Sequence, residues 1–78
     1  MKKQAKLTFP EHLIKEPVIF TMAKKYDVMP NIRRARVTET VGEMFLELDG
    51  TEENLNKGIQ WLNDKGVTVE VLEGDSIE

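Results

Sequence analysis

From Lys3 to Phe9 apolar and polar residues alternate, with Ala5, Leu7 and Phe9 on one side and Gln4, Lys6 and Thr8 on the other. A period of two is the signature of a strand with one buried face. Pro10 ends it, and Glu11 to Lys15 reads as a connecting loop with apolar content. The spacing then changes. Ile19, Met22, Ala23 and Tyr26 fall at i, i+3, i+4 and i+7, the buried stripe of a helix. Glu16-Pro17 marks its start: proline lacks an N–H that a first turn would leave unbonded, and Glu16 would place negative charge at the positive end of the helix dipole. Phe20 lies off the stripe, an apolar residue that a single copy does not need for its core.

Pro30 cannot continue a helix and biases Met29 toward extended geometry, so the next change of element falls there. Asn31 to Thr40 reads as a second strand, with Ala35 and Val37 on one face and Arg34, Arg36 and Thr38 on the other. Gly42 is expected to supply the following turn, together with Val41 and Glu43. A third strand, Met44 to Asp49, directs Met44, Leu46 and Leu48 inward and Phe45 and Glu47 outward. Thr51 suits a helix N-cap, with Glu52 and Glu53 in the first turn where acidic charge is favoured. Leu55, Ile59 and Leu62 make the stripe of this second helix. Gly58 interrupts it at about 1 kcal/mol relative to alanine, tolerable where another backbone approaches closely. Lys65-Gly66 closes the helix. Val67, Val69 and Val71 then alternate with Thr68 and Glu70 as a last strand.

The order is β-α-β-β-α-β. Right-handed crossovers around a central hairpin give an α+β, ferredoxin-like split β-α-β sandwich. Its four-stranded antiparallel sheet is expected in the order 4-1-3-2, with both helices on one face. Residues 1–73 make the single domain and 74–78 a polar tail. On the face without helices, the outward residues are expected to run Glu70, Lys6, Glu47, then Arg34 or Arg36, opposite charges on neighbouring strands.

Composition narrows the function classes. A chain of 78 residues, 40% hydrophobic and 32% charged, has room for one globular domain. A core this small supplies only about 3–5 kcal/mol, so pairing with a second copy would help it. Cysteine is absent, which removes disulfides, iron–sulfur ligation and thiol catalysis. A net charge of −3 argues against nucleic acid as a partner. The basic start, Met1-Lys2-Lys3, is followed by no apolar run of signal-peptide type, and no stretch approaches the ~20 apolar residues of a membrane span. The expectation is a cytoplasmic protein with no membrane insertion.

Catalytic chemistry has no visible carrier. His12 stands without a partner at useful spacing, and there is no phosphate loop, nucleophile elbow or clustered metal-ligand set. No catalytic residue, metal or cofactor is therefore assigned, and the chain is not read as an enzyme. Glu52-Glu53 and Asp75 are better explained by the helix dipole and a solvated tail than by a cation. Arg33, Arg34 and Arg36 could grip a carboxylate, since guanidinium binds one in bidentate fashion. Cross-strand pairing with Glu47 and solvation explain them more simply. Phe20 and Phe45, apolar on polar faces, favour a dimer surface. Asn31, at the mouth of the second strand, can donate and accept at once. Asparagine there can also simply bond its own backbone.

With the elements placed, the chain resembles the NIL domain, a small regulatory module at the C-terminus of methionine ABC-importer ATPases. Matching stretches are Leu7-Thr8-Phe9, Glu16-Pro17-Val18-Ile19, Lys25-Tyr26-Asp27-Val28 and Asn31-Ile32, the first two letters of the family's motif. Leu46-Glu47-Leu48-Asp49-Gly50, Trp61-Leu62 and Gly66-Val67-Thr68-Val69-Glu70-Val71-Leu72 complete the resemblance over nearly the whole chain. It implies an ACT-like domain that pairs with a second copy and binds L-methionine between the two. The motif asparagine, which contacts the amino acid, maps to Asn31, and Ile32 matches the second position. Arg33 departs from the family's aliphatic third position. Related modules also occur joined to iron–sulfur ferredoxin segments, but a chain without cysteine binds no such cluster.

Two functions follow as expectations. The first is a ligand-sensing regulatory domain that takes methionine or a related amino acid at a homodimer interface including Asn31 and Ile32. The alternative is a ligand-free interaction module for a partner in methionine transport or sulfur amino-acid metabolism, using its open sheet face or an edge strand.

Overall fold

In the computed structural model, which describes residues 1–72, the alternating stretches become four strands and the striped ones two helices. The elements are β1 (Lys2–Phe9), a short 3-10 helix (Glu11–Leu13), α1 (Val18–Tyr26), β2 (Met29–Val37), β3 (Gly42–Asp49), α2 (Glu52–Lys65) and β4 (Thr68–Leu72). The strands form one antiparallel sheet in the order β2-β3-β1-β4, the expected 4-1-3-2 order seen from the other edge. The expected tail, 74–78, lies outside the described residues.

Register fixes which face is buried. Ala5 lies opposite Leu46, Leu7 opposite Met44, and Lys3 opposite Leu48. Ala5, Leu7, Leu46 and Leu48 share one core with Val18 and Met22 of α1 and Leu55 and Leu62 of α2. Both helices therefore cover the same side of the sheet. The other side is open.

Local chemistry sets the helix ends. The Thr51 Oγ1 accepts from the Asn54 N–H at 3.0 Å, satisfying a donor that the first turn of α2 would leave free. Gly66, at φ 110, closes the helix in the left-handed region, with the Gly66 N–H donating to the carbonyl oxygen of Asn63 and the Val67 N–H to that of Leu62. Between them Lys57 Nζ and Glu53 Oε2 meet at 2.8 Å, one turn apart. Their hydrogen bond, reinforced by charge, holds the Glu53 carboxyl below its usual range and raises the Lys57 ammonium. Thr51→Ala is expected to lower stability by about 0.5–2 kcal/mol. A urea titration with a lower midpoint and an unchanged slope would show it; an unmoved midpoint would mean that the cap contributes nothing.

Several expectations are corrected. The loop after Pro10 contains a helical turn that buries Leu13, giving the core a residue the loop assignment did not supply. Helix α1 begins at Val18 with Pro17 as its N-cap, so Glu16 stands outside the first turn and no acidic residue lies within it. Its buried pair is Val18 and Met22, with Ile19 and Tyr26 only partly covered. The hairpin turn is made by Thr38 to Val41: the Thr38 N–H donates to the Val41 carbonyl, and Thr38 Oγ1 accepts from the N–H groups of Thr40 and Val41. Strand β2 accordingly ends at Val37 and not at Thr40. Gly42 is a strand residue, where an added Cβ would lie 3.2 Å from Phe9 and Ile14. At Gly58 the close neighbour is a side chain and not a backbone: a Cβ there would stand 2.9 Å from the Met22 sulfur.

Candidate functional site

Strand β2 is an edge strand, and it carries one irregularity. Ile32 lies opposite Leu46 and Arg34 opposite Phe45, so Arg33 is an extra residue between two that face consecutive partners. Such a bulge shifts the alternation by one. Ala35 and Val37 face the helix side, opposite Met44 and Gly42. Without the extra residue Asn31 would join them. With it, Asn31 stands on the open face opposite Glu47, and Ile32 takes the helix side. The two residues expected to bind ligand are adjacent but point to opposite sides of one edge. The Asn31 amide makes no hydrogen bond to another side chain or to backbone among the described residues, and Ile32 remains 51% exposed.

A groove of about 510 Å³ opens where the end of α1 meets the start of β2; its wall ends at Pro30, and neither Asn31 nor Ile32 lines it. Asp27 turns the chain there in the left-handed conformation (φ 55), which a short polar side chain tolerates better than most. Phe20, Ala23, Val28, Met29 and Pro30 form its apolar wall; Lys24, Asp27 and Asp49 stand at the rim. Phe20 and Met29 are 65% and 71% exposed, the largest values among the exposed apolar side chains. Phe20 was marked in sequence by lying off its stripe. Met29, Lys24 and Asp49 had no such signal, because only the turn at Asp27 brings them to one place.

The family model for the NIL domain matches residues 3–71. The chain belongs to the NIL domain family. It is 35% identical over 71 residues to "Methionine import ATP-binding protein MetN" of Coxiella burnetii, covering 86% of the chain and 20% of that relative. The protein of the same name in Bacillus subtilis is 32% identical over 74 residues, covering 90% of the chain and 22% of the relative. The chain thus spans about a fifth of the length of these relatives. The crystal structure of the C-terminal domain of an ABC transporter ATP-binding protein from Enterococcus faecalis superimposes with a TM-score of 0.83 at 27% identity, over 94% of this chain and 86% of that one.

In this NIL domain the open face departs from the simple charge row. The β1–β3 register sets Lys6 beside Phe45, while Glu47 falls opposite Gln4 and Asn31. Glu47 is shared by Lys2 at 4.0 Å and Arg33 at 3.8 Å, so the bulged arginine takes the partner expected for Arg34 or Arg36. Phe45 lies between two cations, Arg34 at 5.1 Å and Lys6 at 5.8 Å from its ring centre. It is half-buried beneath them. Trp61 packs at the edge of the core, as a filler. His12 sits in the 3-10 helix, and among the described residues no three His, Cys, Asp or Glu side chains cluster as a metal site. No described helix is long and apolar enough to cross a membrane.

Proposed function

We propose that this NIL domain is a small-molecule-sensing regulatory domain that binds L-methionine or a closely related amino acid at a homodimer interface including Asn31 and Ile32. The observation that supports it is an edge-strand asparagine whose amide has no partner, one residue beyond Pro30 at the end of an exposed apolar groove. An unbranched thioether suits a wall of Phe20, Met29 and Pro30, while Lys24 and the carboxylates of Asp27 and Asp49 offer complementary charge for the two ends of a zwitterion. Asn31 and Ile32 straddle one edge, so a second copy laid against that edge is what would enclose a ligand touching both. The relatives bear the name of methionine import proteins. Ligand bound between copies would favour the paired state by its differential affinity, and the domain, on the cytoplasmic side, would pass that bias to an ATP-driven importer. The domain itself would do no chemistry.

Calorimetric titration with L-methionine, homocysteine and cysteine tests this, with light scattering alongside. A saturable heat with one of them and a dimer in its presence are expected. No heat at millimolar amino acid, or a strict monomer throughout, would refute it.

A further inference from the structure

We propose that Glu47 holds the ammonium end of the amino acid, within a row of acceptors formed on the open face by Gln4, Glu47 and Asn31. This rests on the amino-acid reading above and adds the residue that selects for a free amino group.

Register puts the three side chains in line. On the open face Gln4 lies opposite Glu47 on one neighbouring strand, and Asn31 lies opposite it on the other. Neighbouring strands stand about 4.8 Å apart, so a group seated over Glu47 is within reach of both amides. The Glu47 side chain is only 17% exposed, yet its carboxylate accepts no hydrogen bond among the described residues. Its two ion pairs are loose. Lys2 at 4.0 Å and Arg33 at 3.8 Å both lie beyond the ~2.7–2.9 Å of a charge-assisted hydrogen bond. Gln4 Oε1 is buried without a partner, and the Asn31 amide has none among the described residues either. Covered acceptors are ordinarily matched by donors, so this row is a site that lacks its donor. An ammonium supplies what is missing: three N–H donors and a positive charge, with no acceptor of its own.

The other carboxylates near the groove suit the ammonium less well. Asp49 is 45% exposed and already faces the Met1 ammonium at 3.9 Å. Asp27 caps α1 ahead of β2 and has no register partner in the sheet. A metal ion is a poorer occupant of the row than an ammonium, because Glu47 is its one carboxylate and two cations flank it. A second copy laid against the outer side of β2 would extend the sheet and leave this row on the open face, so the site and the pairing are compatible.

The test compares, by calorimetry, L-methionine with γ-(methylthio)butyrate, which keeps the thioether and the carboxylate but lacks the amino group. On the unmutated chain the des-amino acid should bind about 10–150-fold more weakly, the range for losing a hydrogen bond to a charged group. Glu47→Gln should weaken methionine by a similar factor and bring the two ligands within about threefold of each other. That ratio would not move if Glu47 only braced the sheet. Nuclear magnetic resonance on the unmutated chain gives a reading independent of how the variant folds: the side-chain amide signals of Gln4 should shift when methionine is added. The proposal falls alone if methionine binds but the des-amino acid binds equally well, if Glu47→Gln keeps the full discrimination, or if the Gln4 amide does not respond. Discrimination lost at Asp27→Asn or Asp49→Asn but kept at Glu47→Gln would place the ammonium elsewhere and likewise overturn it. No heat from methionine with the unmutated chain would remove the amino-acid reading itself, and this proposal with it.

Discussion

Leu46→Ala is expected to remove most of the stability of the domain. Leu46 is fully buried in β3, a central strand, with Ala5 beside it on one neighbour and Ile32 on the other. Replacing a buried leucine by alanine takes away transfer free energy and leaves a cavity, together about 2–5 kcal/mol. A domain of this size holds only about 3–5 kcal/mol in all. The two ranges overlap, so urea titration followed by circular dichroism should show a midpoint lowered by more than about half, or no cooperative transition at all. Ile32→Ala provides the internal contrast. Ile32 lies on the same face and opposite Leu46, but it is half exposed, and its loss should change stability by less than about 1 kcal/mol. Equal effects at the two positions would mean that Ile32 is covered in solution by something the single chain does not contain.

Much of this fold is legible in the chain because burial writes a period into it. Leu7, Leu46 and Leu48 recur with the strand period, Leu55 and Leu62 with the helical one, and all five are buried. The sheet order then follows from connection rules. The Arg33 bulge is different. From Asn31 to Val37 every residue is exposed, so no burial pattern shows where the alternation slips, and alternation traced back from Ala35 would set Asn31 on the wrong face. The charge row failed for a related reason. Opposite signs were correctly assigned to neighbouring strands, but which carboxylate meets which cation depends on register, and register put Phe45 where Glu47 was expected. The groove was hidden because its residues come from α1, β2 and the end of β3 and meet only through the turn at Asp27. Asn31 itself was marked by its amide at the mouth of the strand and by family resemblance, not by periodicity.

That origin makes Asn31 the residue to test. Asn31→Ala is expected to weaken methionine binding by roughly 10–150-fold, since a hydrogen bond to a charged group is worth about 1.5–3 kcal/mol and each 1.4 kcal/mol is tenfold. Stability should stay within about 0.5 kcal/mol, because the side chain is exposed and bonds no other described side chain. Calorimetry paired with urea unfolding reads both quantities. Affinity within about twofold of the unmutated chain, with the fold intact, would remove Asn31 from the site. Asn31→Asp then separates two ways of holding the ligand. It keeps the shape and the accepting oxygens but loses the donor and adds a charge beside Glu47. If the amide donates to the carboxylate of the amino acid, aspartate should bind worse than alanine, because two negative groups would face each other. If the amide accepts from the ammonium, aspartate should retain binding that alanine loses. The ranking of the three variants thus reports which end of the zwitterion lies over β2 and which end is left for Lys24 or the aspartates at the rim of the groove.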